Sequence, residues 1–213
     1  MNRSQIEIIY QDEIIVVINK PGGLLSVPGR GIEKQDCVSK RLQNIFPVMI
    51  PQPSIHRLDM YTSGIMVYAI TSQAHRDISI QFEKRQVHKR YQALLEGIIE
   101  GKQGEISLPF RLDPNNRPIQ IYDAEQGKMG HTKWRNLGIE TERTRIEFTP
   151  LTGRTHQLRI HSAHSLGLGT PIVGDSLYGF GTDGDQMMLH ATFLSFFHPG
   201  SKKKVEFHSP PPF

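Results

Sequence analysis

Short apolar blocks separated by polar or glycine-rich breaks run along most of this chain, and most of the blocks have the length of a strand. Residues 6–9 and 14–18 are two apolar runs around the polar tripeptide Gln11-Asp12-Glu13. Pro21-Gly22-Gly23 stops the second run, so the pair predicts a hairpin. Residues 64–71 are apolar on both alternating faces, as in a central strand covered on both sides. Ser72 then offers a helix N-cap, and Ala74, Ile78 and Phe82 recur every four residues, so one helical face can pack on a sheet. A weaker helical pattern passes through Val38, Leu42 and Ile45 before Pro47, Pro51 and Pro53 end it. Further strands are predicted at 90–97, 131–137, 143–149, 187–197 and 203–208, and a helix within 154–166. No repeat, low-complexity tract or linker divides residues 1–213. These patterns predict one α+β domain built on a mixed, mostly antiparallel and bipartite β-sheet with flanking helices and loops.

Composition adds limits rather than detail. The 213 residues can bury a sizeable core. Lysine and arginine total 25 against 21 acids, a net charge of +4 that permits a polyanionic partner without requiring one. Cys37 is the one cysteine, so no intrachain disulfide and no cysteine-based zinc cluster can form, and a reducing, cytoplasmic setting is expected. The N-terminal "MNRSQIEIIYQDE" lacks the apolar core of a signal peptide, and no run reaches the length of a membrane span. A monomer is expected, because each large apolar run fits an internal strand.

Three segments could carry chemistry. In "HRLDMYTSG", residues 56–64, Asp59 precedes the buried strand, with Thr62 and Ser63 able to bond backbone or a carboxylate. Spacing alone leaves two readings open: a reactive loop carboxylate, or a turn aspartate paired with Arg57 at the surface. "KRYQALLEG" sets Tyr91 beside Lys89 and Arg90, which suits phosphates and an unstacked base, or equally a solvated strand start. In "LTGRTHQLRIH", Arg154, Gln157, Leu158 and His161 share a face if the segment is helical. Arg154 would then occupy the first turn, where the helix dipole disfavours a cation unless an anion partners it. His156, His161 and His164 would fan over an arc of roughly 140° on a helix, which does not converge on a metal.

These segments meet in one pattern. "HRLDMYTSG" resembles the His-Arg-Leu-Asp-x-x-Thr-Ser-Gly signature of the RluA family of pseudouridine synthases. "NKPGGLLSVPG", "KRYQALLEG", "GRTHQLRIH", "PIVGDSLYG" and "MLHA" are similar to its other segments, in the same order over nearly the whole chain. The resemblance implies the pseudouridine synthase fold, without an N-terminal S4-like domain, and RNA as the partner: stem-loops of 23S ribosomal RNA and of transfer RNA. It implies Asp59 as the catalytic aspartate, Tyr91 as the residue stacking on the target base, and Arg154 as the cation paired with the aspartate. Arg57 resembles the arginine that enters the helical stack as the uridine leaves, and His56, Thr62 and Leu158 fall among the substrate-binding positions.

Isomerisation moves uracil from an N1 to a C5 bond with ribose C1′ and neither adds nor removes atoms, so no redox cofactor and no metal is expected. One carboxylate is evident where a glycosidase normally has two. Asp59 could attack C1′ or remove the ribose 2′ proton. The competing class is a noncatalytic RNA-binding or chaperone protein using the same groove, and a nucleoside hydrolase lacks its second carboxylate.

Overall fold

The computed structural model describes residues 6–213; the segment read for a leader begins in residues 1–5, outside them. The chain divides into two compact units: residues up to Lys89 with His190–Pro212, and Arg90–Leu189 with Phe213. The α+β expectation holds, with a largely antiparallel sheet and three α-helices among the described residues.

In the first unit β1 (Glu7–Gln11) and β2 (Ile15–Lys20) form the expected antiparallel hairpin. Asp12 shapes the turn by accepting the N–H groups of Ile14 and Ile15, each at 2.9 Å. Strand β2 pairs with β3 (Ser63–Ala69), all seven residues of which are buried. Strand β9 (Leu189–Phe197) lies parallel to β3 through Ser63–His190 and Gly64–Ala191, and β10 (Lys204–His208) is antiparallel to β9. Helix α1 (Val38–Ile45) buries Val38 and Leu42. Helix α2 (Ser72–Glu83) sets Ala74 and Ile78 into a core with Ile15, Val17, Ile65, Val67 and Phe196, so the four-residue period read correctly. Its cap is Thr71 rather than Ser72: the Thr71 side chain accepts the Ala74 N–H at 3.3 Å, three residues ahead as capping geometry requires.

The second unit is an antiparallel sheet in the order β4 (His88–Leu95), β8 (Arg143–Pro150), β7 (Lys128–Glu140), β5 (Gln103–Leu112), β6 (Gln120–Tyr122). Strands β5 and β6 escaped the sequence reading. Strand β5 has the right period, burying Ile106, Leu108 and Phe110, but Gly104 and Pro109 interrupt it. β6 pairs only with Phe110–Leu112, so Pro109 lies beyond the end of that partner, where a missing N–H is tolerated. Helix α3 (Gln157–Ala163) falls within the expected 154–166 and begins three residues after Arg154. Its Ile160 joins Ile106, Leu108 and Phe110 in the core of this unit.

Candidate active site

Asp59 sits in a loop whose backbone is clamped on both sides by the segment leaving β2. Before it, Ser26 Oγ donates to the Leu58 carbonyl at 2.7 Å and accepts the Leu58 N–H at 3.2 Å. After it, the Met60 carbonyl accepts both the Gly23 N–H and Lys20 Nζ, each at 2.9 Å. Lys20 is fully buried, and its ammonium also donates to the carbonyls of Leu24 at 2.6 Å and Pro21 at 2.9 Å. Three N–H donors thus meet three carbonyls. Burial pushes the Lys20 pKa down to about 7, and the nearby Asp59 charge opposes the fall. Gly23 holds φ +81°, a conformation that favours glycine, which lets its N–H turn onto Met60.

The rest of the signature is structural in its contacts. His56 Nε2 accepts the Val67 N–H at 3.1 Å, and its ring stacks on Phe82 at 4.8 Å. Although the residue keeps some surface, desolvation of the ring pushes its pKa down to about 3, with Lys89 adding to the effect. His56 is therefore a neutral acceptor near pH 7. Thr62 is buried, Asp59 is half-buried and Arg57 is exposed. Ser63 and His190 Nδ1 are 2.8 Å apart, and His190 Nε2 is 3.1 Å from Ser209 Oγ, so a buried imidazole ties the strand after the loop to the C-terminal segment.

In the second unit Arg154 lies on an exposed turn, not in the first turn of a helix. The expectation of a dipole penalty falls, because the turn is organised by a side chain instead. Gln157 Oε1 accepts the Arg154 N–H at 3.0 Å and the Thr152 hydroxyl at 2.8 Å, while Nε2 donates to the His131 carbonyl and to Thr132 Oγ1 at 3.0 and 2.9 Å. The buried amide is fully used, and it presents Arg154 outward. His156 closes the turn in the left-handed region at φ 56°. Leu158 is 7% exposed. Tyr91 is half-buried on β4 opposite Phe148, and Glu147 draws Arg90 to 3.9 Å and Arg135 to 2.9 Å.

The three histidines part company. His156 Nδ1 is 2.9 Å from the Tyr178 hydroxyl, and His164 Nδ1 accepts the Leu166 N–H at 3.1 Å. His161 is fully buried against the Phe110 edge, and burial pushes its pKa down to about 4. No three metal-ligating side chains converge among the described residues. Thus Asp59, Arg57, His56 and Thr62 belong to the first unit, and Tyr91, Arg154 and Leu158 to the second. Sequence reasoning gave no role to Lys20, Ser26 or Gln157; for the first two the available signal was the lysine and serine flanking the Pro-Gly-Gly stop.

Residues 14–164 match the family model described as RNA pseudouridylate synthase, a span that includes every one of these positions. The chain belongs to the RNA pseudouridylate synthase family. This pseudouridylate synthase is 42% identical over 196 residues to the dual-specificity RNA pseudouridine synthase RluA of Yersinia pestis, covering 90% of this chain and 92% of that protein. It is 40% identical over 210 residues to the RluA of Escherichia coli strain K12, covering 97% and 93%. Among solved structures, human RNA Pseudouridylate Synthase Domain Containing 1 superposes with a TM-score of 0.80 at 30% identity, covering all of this chain and 86% of that one. The pseudouridylate synthase fold is shared, and the enzyme is an RluA-type isomerase that converts uridine in RNA to pseudouridine.

Proposed function

We propose that this enzyme acts on unpaired uridines in stem-loops of both 23S ribosomal RNA and transfer RNA, with Asp59 as the group that engages the ribose. The observation that carries the reading is the double clamp around Asp59. Ser26 fixes the residue before it, while Lys20 and Gly23 fix the residue after it, so the carboxylate starts from a backbone that cannot drift. Near-complete coverage of relatives bearing the dual-specificity name supports the two RNA classes.

The reaction breaks N1–C1′, turns the uracil over and forms C5–C1′; the C5 proton leaves and N1 gains one. A base in a stacked loop must first flip out, at a cost of a few kcal/mol. Arg57, exposed beside the loop, offsets part of that cost by filling the gap, and Tyr91 receives the extruded ring. Arg154 serves as the cation that orients Asp59, since a guanidinium can grip both carboxylate oxygens. His56, Thr62 and Leu158 shape the walls of the substrate site. The whole chain works as one catalytic domain, a cytoplasmic monomer; no helix among the described residues is long and apolar enough to cross a membrane.

The test uses 5-tritiated uridine in 23S ribosomal RNA fragments and transfer-RNA transcripts, because bond formation at C5 releases tritium to water. Wild-type protein releases it from both, and Asp59→Asn binds both RNAs but releases none. Release by Asp59→Asn at the wild-type rate would remove the aspartate from the chemistry. Binding by the wild type without release would leave a noncatalytic RNA-binding protein.

A further inference from the structure

Phe180 is 82% exposed at the tip of "GDSLYGFG", yet the loop beneath it is rigidly built. The fully buried Asp175 accepts Arg159 Nε at 2.7 Å and Nη2 at 2.5 Å, and also the N–H groups of Leu177 and Tyr178. Its backbone carbonyl accepts the N–H groups of Gly179 and Gly181 at 3.1 and 3.2 Å, so both neighbours of Phe180 are pinned to one oxygen. A side chain at Gly181 would overlap the backbone of Gly174. The backbone on both sides of the exposed Phe180 is therefore fixed by its scaffold.

The same loop is anchored to a cationic cavity. The Tyr178 hydroxyl accepts the Gln120 N–H at 2.6 Å and lies 2.9 Å from His156 Nδ1. Gln120 lines a cavity of about 270 Å³ together with Gln126, Arg111, Lys128 and Arg154. Three cations and no carboxylate face that space, although Asp123 holds Arg111 from one side at 2.5 Å. Phe180 follows Tyr178 by two residues, so their Cα atoms are at most about 7 Å apart.

We propose that Phe180 is a stacking platform for an unpaired base of the bound RNA, and that the cavity takes a phosphate of the same strand. The inference rests on RNA as the substrate. A phosphodiester supplies an anion that the cavity lining itself lacks, and a base face covers a ring that stands exposed. Preordering matters because a loop backbone already fixed in place loses little entropy when a base arrives.

The test measures binding of a fluorescent single-stranded oligouridylate over a range of salt concentrations. Phe180→Ala weakens affinity about 5- to 150-fold, the stacking value of one base, and leaves the slope of log K against log salt unchanged. Phe180→Trp restores wild-type affinity. Lys128→Gln lowers the slope by about 0.7, the signature of one lost phosphate contact to a single strand. All three variants melt at the wild-type temperature, since neither side chain is buried. Wild-type affinity in Phe180→Ala, a loss that Phe180→Trp does not recover, or an unchanged slope in Lys128→Gln overturns the proposal. Tritium release separates this from the reading on which it rests. If the wild type releases tritium while Phe180→Ala matches it in KM and affinity, this inference alone falls; if the wild type binds without release, the catalytic reading falls and the platform stands.

Discussion

The loop that carries Asp59 is held by a buried charge, whereas the turn that carries Arg154 is held by a neutral amide. Lys20 reaches three backbone carbonyls around the first; Gln157 makes four hydrogen bonds around the second. Both fix a backbone next to a functional side chain, but they answer differently to the solvent. An ammonium has its three donors only while protonated, and burial has moved that proton to the edge of neutrality. An amide has the same donors and acceptors at every accessible pH. The first anchor is titratable, the second constant.

The sharpest way to break the contrast is Lys20→Met. It keeps the volume but leaves the Pro21 and Leu24 carbonyls unpaired, at a cost of about 3 kcal/mol, or a melting temperature lower by roughly 10 °C. Turnover should fall about 100-fold, because a shift on the order of 1 Å beside the reacting group is that costly. Gln157→Leu comes next. Loss of the hub should cost about 2 kcal/mol and cut turnover on the order of 10-fold, read by urea denaturation and tritium release.

A smaller effect is the pH course. Below pH 7 Lys20 is charged in both folded and unfolded chains, whereas between about 7 and 10.5 the unfolded chain keeps a proton that the folded one has released. The unfolded state then binds more protons, so this group makes unfolding free energy rise with pH across that window, by at most about 1.4 kcal/mol per unit. The rise should vanish in Lys20→Met and persist in Gln157→Leu when urea midpoints are compared from about pH 6.5 to 9. The smallest change calibrates the others. Thr141 and Glu142, at the tip between β7 and β8, hold φ 46° and 63°. Thr141→Asn with Glu142→Gly suits that geometry and should add about 0.5–1 kcal/mol, with turnover unchanged.

What sequence could show follows from what is local. The both-face apolar run of β3 and the four-residue period of α2 depend on neighbours along the chain, and both were legible. Asp59, Tyr91 and Arg154 stood out as charged or aromatic residues in unusual settings, and their roles came from a resemblance rather than from spacing. Lys20 was hidden because its site is made by Met60, forty residues on, and a lysine beside Pro-Gly-Gly otherwise reads as a solvated turn. Gln157 was hidden because an amide on a helix is normally polar surface; only the fold brings His131 and Thr132 beneath it. Strand β5 was lost to Gly104 and Pro109, breakers whose cost depends on where the neighbouring strand ends.

Gly64 ends the "HRLDMYTSG" signature, and a side chain there would overlap the backbone of Ala191, where β3 and β9 run parallel. The last position of the signature therefore answers to strand spacing, and Asp59 to chemistry. A descendant that had abandoned catalysis but kept the architecture would still be obliged to carry the glycine, while its aspartate would be at liberty to drift. The signature is in this sense two markers written end to end, one for a shape and one for an activity.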